Sequence, residues 1–241
     1  MSSRRSSGRW LRRLIVTLVV LGVLAVAVDR AAAWVAQNQL ASMAEKEAAQ
    51  YDVTAADTSV HIGGFGFLPQ LAKEKFSKVT LTMQQPTFER VPAEDLKVEM
   101  SGVHVPRGLL TRQPGTAVTV DSTTMRVQLS PAELARLAAQ ATGLNGLTMR
   151  VVEGKLHAGV SVRGIQADVA VNPQVQKGRI MLAVDQLTDS IPSIVRNAIG
   201  SQLSRGITIP ELPFGAQLDQ VGVEGSSVVL TASVVDLKFA A

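Results

Sequence analysis

The chain has 241 residues with 24 basic and 20 acidic side chains, three histidines and no cysteine, so disulfide frameworks and thiol chemistry are excluded. Its net charge of +4 is a property of one end: without Arg4, Arg5, Arg9, Arg12, Arg13, Arg30 and Asp29, 18 basic residues face 19 acidic ones. A body so close to neutral excludes an electrostatic nucleic-acid footprint, and with aromatics at only 4% its interior must be built from aliphatic residues and methionine.

The first element is the uncharged run Leu14 to Val28, LIVTLVVLGVLAVAV, which follows five arginines. Positive charge held in the cytoplasm sends the remaining chain across the membrane, so the body is expected in the cell envelope on the extracytoplasmic side. Two fates of the segment stay open. Ala25-Val26-Ala27 fits an A-x-A cleavage signal. Fifteen helical residues rise only about 22 Å against a hydrocarbon core of about 30 Å, yet extension through Ala31, Ala32 and Ala33 brings both tryptophans, Trp10 and Trp34, to its two ends. Tryptophans at both interfaces favour a retained anchor, at the cost of placing Asp29 and Arg30 within the span; alternatively Trp34 packs in the first helix of the body. The expected division is a basic tail and transmembrane or signal segment over 1–30, then one extracytoplasmic domain over 31–241.

Residues 31 to 50 are rich in helix formers, with Ala33, Ala36, Leu40, Met43 and Ala44 at helical spacing. This helix either lifts the body off the membrane or continues the anchor without a break. From Thr58 the period becomes two: Val60 and Ile62, then a glycine-rich stretch Gly63 to Leu71 read as strand and turn, then Val79, Leu81 and Met83; Leu96, Val98 and Met100; Val118 and Val120; Met125, Val127 and Leu129. The alternation resumes at Met149 and Val151, Leu156 to Val162, Ile165 to Val171, Ile180 to Val184 and Val228 to Val234. Hairpin turns are expected at Pro114-Gly115, Glu153-Gly154, Arg163-Gly164, Asn172-Pro173 and Lys177-Gly178. Two amphipathic helices interrupt the strands. One opens at the Ser130-Pro131 cap and buries Leu134, Leu137, Ala138 and Ala141, and the other runs from Ser190 to Ser204 and stops at Gly206. The fold class is α+β: long antiparallel strands, one face apolar, curling around or against amphipathic helices.

No catalytic motif accompanies this framework. His61, His104 and His157 stand alone on their strands, Gly64-Phe65-Gly66 lacks the third glycine of a dinucleotide loop, and Gly143-Leu144-Asn145-Gly146 has no basic helices around it. No catalytic residue, metal ligand or cofactor is assigned. Asp121, Glu153, Asp168, Asp185 and Asp219 could converge as the carboxylate pair of an envelope enzyme acting on glycans or lipids, but solvated turn residues are the simpler reading. The unusual feature is apolar residues in glycine and proline loops: Phe65, Phe67 and Leu68; Leu109 and Leu110 between Arg107 and Arg112; and Ile209, Leu212 and Phe214. Such loops either plug the ends of the core or ring an apolar opening and touch a bilayer, with Arg107 and Arg112 available to a lipid head group. A third reading is a membrane-tethered adaptor whose apolar loops bind another protein.

The series Val60-His61-Ile62-Gly63-Gly64-Phe65-Gly66-Phe67-Leu68-Pro69-Gln70-Leu71, Met100-Ser101-Gly102-Val103, Leu129-Ser130-Pro131-Ala132-Glu133-Leu134 and Ile209-Pro210-Glu211-Leu212-Pro213-Phe214-Gly215 resembles the actinobacterial LmeA-like phospholipid-binding family over about residues 31 to 241. Gly66 departs from the proline expected between the two phenylalanines. The resemblance implies an elongated, tubular fold like that of the bactericidal permeability-increasing protein, non-catalytic binding and transfer of phospholipid or lipid-linked glycan, and a role in envelope or lipoglycan maintenance. Its partners would be a membrane lipid and the membrane. Aliphatic walls suit such a ligand, since each buried methylene contributes about 0.8 kcal/mol without any head-group contact.

Overall fold

The computed structural model describes residues 7–88, 90–106, 108, 117–143, 146–162, 165–186, 206–208 and 215–240. In chain order the elements are α1 (Ser7–Ala49), β1 (Val53–Thr54), β2 (Asp57–Gly63), α2 (Phe67–Ala72), β3 (Lys75–Gln84), β4 (Thr87–Phe88), β5 (Val91–Pro92), β6 (Asp95–His104), β7 (Ala117–Leu129), α3 (Pro131–Thr142), β8 (Thr148–Val152), β9 (Lys155–Val162), β10 (Ile165–Gln176), β11 (Arg179–Gln186), β12 (Ile207–Thr208), β13 (Gln217–Glu224) and β14 (Ser227–Ala240). The expected helix at Ser190 to Ser204 and the turns at Pro114-Gly115 and Arg163-Gly164 lie outside the described residues.

No proline interrupts α1 over 43 residues, so the apolar segment and the helix after it form one rod about 65 Å long. From Ile15 to Val28 its large apolar side chains are exposed. Beyond Val28 one face docks on the body: Asp29 and Ala33 are buried, and Ala36 and Ala41 pack against the core that includes Val60 and Ile62 of β2. Alanines face the strand because a helix approaches a sheet closely only where side chains are short. Leu40 and Met43 share the helical periodicity in the sequence but point outward, and Trp34, 66% exposed, does not pack on the body.

The larger sheet has six antiparallel strands in the order β13-β14-β7-β6-β3-β2. Its registers align three rows on one face: Val60, Leu81, Val98, Met125, Ala232 and Leu218; Thr58, Met83, Leu96, Val127, Leu230 and Val221; and Ile62, Val79, Met100, Thr123 and Val234. The strict alternation then slips. The next inward side chains are Phe76, Val103, Val120 and Leu237, each three positions from its predecessor rather than two. Between them runs a row of Ser77, Gly102, Asp121 and Asp236 in which Gly102 and Asp236 have φ of 64° and 54°, the left-handed backbone that turns a strand's side chains over without adding a residue. Val118-Val120 and Met125-Leu129, read as separate runs in the sequence, are therefore one strand, β7, with its phase shifted in the middle. Gly102 is required there: a Cβ would lie 1.9 Å from Asp121 Oδ2, and alanine at positive φ costs about 1–2 kcal/mol. Gly102→Ala is expected to lower the midpoint of chemical unfolding accordingly, whereas Gly154→Ala, where a Cβ meets nothing, loses only the backbone part.

The second sheet has the order β12-β11-β10-β9-β8 and is covered by α3. Ser130 Oγ accepts the Glu133 N–H at 3.2 Å, Pro131 opens the helix and Gly143 closes it in the left-handed region, as the sequence indicates. The buried face is Leu134, Ala135, Ala138 and Thr142; Leu137 is half-buried and Ala141 is exposed. Asn172-Pro173 is not a turn. It continues β10, Pro173 pairing with Leu182 of β11, at a point where β9 has already ended, so the missing N–H has no partner to lose. The turns at Glu153-Gly154 and Lys177-Gly178 form, all four residues at positive φ, which suits two-residue hairpins. β13 is an additional strand that periodicity does not reveal, because a register shift between Leu218 and Gln220 interrupts its alternation. Leu134, Ala138, Leu156, Ala158, Val169, Ile180, Val221 and Val228 join both sheets to α3 in one core, and a second core gathers where α1 and α2 meet the larger sheet.

Candidate functional site

Within the stretch from Gly63 to Leu71, read from the sequence as strand and turn, Gly63 ends β2 and Phe67–Ala72 forms a short helix, α2. The first four N–H groups of a helix have no acceptor within it, and here those of the three helical residues Phe67, Leu68 and Pro69 are accounted for. Asp29 of α1 accepts the Phe67 N–H at 3.0 Å and the Leu68 N–H at 2.7 Å, while Pro69 has none to satisfy. Gly66 precedes the helix at φ 70°, ψ 134°. Proline is locked near φ −65° and could not adopt this conformation, so this turn requires the glycine.

Gln70 fixes the loop from beneath. Its buried amide donates through Nε2 to the Gly63 carbonyl at 3.0 Å and the Gly66 carbonyl at 2.9 Å, and its Oε1 accepts from the Ser77 N–H at 2.8 Å and Ser77 Oγ at 3.1 Å. Every hydrogen-bonding position of the amide is used. The three apolar residues of the loop consequently have different fates. Phe67 is half-buried with its ring 5.8 Å from that of Phe76, Leu68 is 39% exposed, and Phe65 at the tip is 95% exposed. The other expected site residues, Arg107, Leu109, Leu110, Arg112, Ile209, Leu212 and Phe214, lie outside the described residues.

The aligned rows of the larger sheet make a second apolar surface. Among the described residues helical cover comes from its two edges: α1 and α2 lie over β2 and β3 on one side, and α3 reaches β14 and the core shared with β13 on the other. On the central strands between them, Val98, Met100, Met125 and Val127 are only half-buried. This trough is aliphatic and methionine-lined, and among the described residues Thr123 Oγ1 on β7 and Thr58 Oγ1 on the edge strand β2 are buried in its rows without a hydrogen-bond partner. Sequence periodicity supplies the side chains of the trough, but not the registers that line them up.

On the outer face of the same sheet Glu99 lies 2.8 Å from Lys78 Nζ and 2.7 Å from Lys97 Nζ. First Lys78 and then Lys97 hold its carboxyl at about 2, well below the ordinary 4.5. A depressed carboxylate stabilises the fold above its unfolded pKa and loses that contribution as pH falls through the folded one. Between pH 4.5 and about 2 the wild type should therefore lose stability more steeply than Glu99→Gln in unfolding titrations, by a small margin because the three side chains are solvent-accessible.

His157, isolated in the sequence, is paired in the structure: its Nδ1 lies 2.9 Å from Asp168 Oδ1, and Arg150 caps the other carboxylate oxygen. Asp168 is therefore part of an ion-pair cluster on β8, β9 and β10 rather than a solvated turn residue. His61 is exposed on β2. Among the described residues no three His, Asp or Glu side chains converge as a metal site would require.

A family model described as LmeA-like phospholipid-binding matches residues 27–233. No curated protein and no solved structure matches the chain.

Proposed function

Because the chain belongs to the LmeA-like phospholipid-binding family, we propose that it holds a phospholipid with the acyl chains laid along the trough of β6 and β7 and the glycine loop at 63–68 beside the entrance. The observation that carries this reading is the alignment of half-buried Val98, Met100, Met125 and Val127 between two helix-covered cores. A strand of seven residues spans about 23 Å, long enough for an acyl chain, and thioether side chains adapt to chains of differing shape. The tubular enclosure implied by the family resemblance would complete the walls. Phe65, Leu68, Leu109, Leu110, Ile209, Leu212 and Phe214 are the proposed entrance, with Phe67 bracing it and Arg107 and Arg112 the proposed partners of the phosphate. The body works on the extracytoplasmic side, tethered by the helix at 14–28, and transfers lipid within the envelope without a catalytic step.

A phospholipid carrying a photoactivatable diazirine in its acyl chain tests this on the full chain in vesicles. Irradiation and peptide mapping should place adducts on 95–104 and 117–129 in addition to the anchor. Adducts confined to the anchor would count against the trough and favour a membrane-tethered adaptor.

A further inference from the structure

We propose that the loop from Gly64 to Leu68 is a foot that stands in the outer leaflet of the bilayer through which α1 passes, with Asp29 as the rivet that sets its depth. The inference rests on the anchor reading above, and goes beyond lipid binding in assigning the orientation of the body on the membrane. Twenty-one residues separate Arg13 from Trp34, about 31 Å of unbroken helix, which matches a hydrocarbon core of about 30 Å. With those two residues at the two boundaries, Asp29 lies about 7 Å below the outer one, within the interfacial layer of about 5–10 Å that amphipathic segments occupy. A bare carboxylate at that depth is costly. This one is buried and accepts two N–H groups, both from the loop. The same bonds hold the loop at the level of Asp29, where its tip residue Phe65 is 95% exposed and Leu68 is 39% exposed. In water an almost fully bare phenylalanine on a loop locked by a buried glutamine amide gains nothing; at the head-group and acyl boundary its ring is buried by lipid. Trp34 lies about 140° around the helix from Asp29, so the foot and the tryptophan would bear on the bilayer from different sides of α1.

The chain has no cysteine, which makes single-site labelling direct. Full-length Phe65→Cys, Leu21→Cys and Glu153→Cys carry an environment-sensitive fluorophore in phosphatidylcholine and phosphatidylglycerol vesicles, with and without lipids brominated high on the acyl chain. The label at 65 should blue-shift and lose about half of its emission to the brominated lipid, as an interfacial site does, while that at 153, on the β8–β9 turn of the second sheet, stays unquenched. Quenching at 65 should persist when Met125→Lys obstructs the trough, and should fall in Asp29→Ala. A label at 65 quenched no more than that at 153, with 21 quenched, overturns the foot and leaves anchor and lipid binding standing. Absence of quenching at 21 overturns the anchor and the foot together, and quenching at 65 that vanishes with Met125→Lys assigns the signal to lipid held in the trough, which also overturns the foot.

Discussion

Gln70→Leu should destabilise the protein by about 2–4 kcal/mol, because leucine fills the volume but leaves the Gly63 and Gly66 carbonyls and the Ser77 N–H without their amide partner. Each buried group stripped of its hydrogen bond costs about 1–3 kcal/mol, and these three are partly rather than fully enclosed. Gln70→Glu should be worse than leucine at neutral pH, since a carboxylate would face two carbonyl oxygens where Nε2 now donates. Thermal unfolding followed by circular dichroism, on the full chain in detergent micelles, measures both. The change should extend beyond stability. Gly66 and the first turn of α2 are held between Gln70 and Asp29, so a loosened loop should also raise proteolysis at 63–68. A Gln70→Leu protein that melts with wild type and resists protease equally would show that the amide network contributes little and that Asp29 alone positions the loop.

Met125→Lys should reduce acyl-chain crosslinking to 95–104 and 117–129 about tenfold or more. An ammonium in the middle of the trough must either be desolvated beside the lipid or keep its water and displace the chain, and a penalty of only about 1.4 kcal/mol already gives a factor of ten. The neighbouring Thr124→Lys places the same charge on the outer face of β7 and should leave crosslinking unchanged, which separates a blocked trough from a general effect of charge on membrane recruitment. Comparable loss in both variants would sink the assignment of the trough as the lipid site.

These two experiments probe features with different origins in the chain. The amphipathic period of residues 130–142, the Ser130 cap, the paired turn residues at Glu153-Gly154 and Lys177-Gly178 and the alternating strands were legible because each is written in neighbouring residues: helix caps, hairpin turns and strand faces are local physics. The family pattern was legible for the same reason, as a spaced series of glycines, prolines and phenylalanines. The apolar run after the arginines reads by length and charge as a segment suited to a membrane, and in the structure it belongs to a 43-residue helix whose large apolar side chains are exposed from Ile15 to Val28.

What the sequence could not give is anything that depends on residues far apart meeting. Asp29 reads as a costly charge after an apolar run until the loop 38 residues later supplies its two N–H donors, and Gln70 reads as an unremarkable polar residue until Gly63 and Ser77 are brought round it. The phase slip at Gly102 and Asp236 hides in four strands at once, since in any one of them it resembles the end of a strand. The chain by itself determined which side chains are apolar and at what period; only the tertiary structure decided which of them share a face. Register and docking are set by long-range pairing, and a shift of one residue exchanges the buried face for the exposed one.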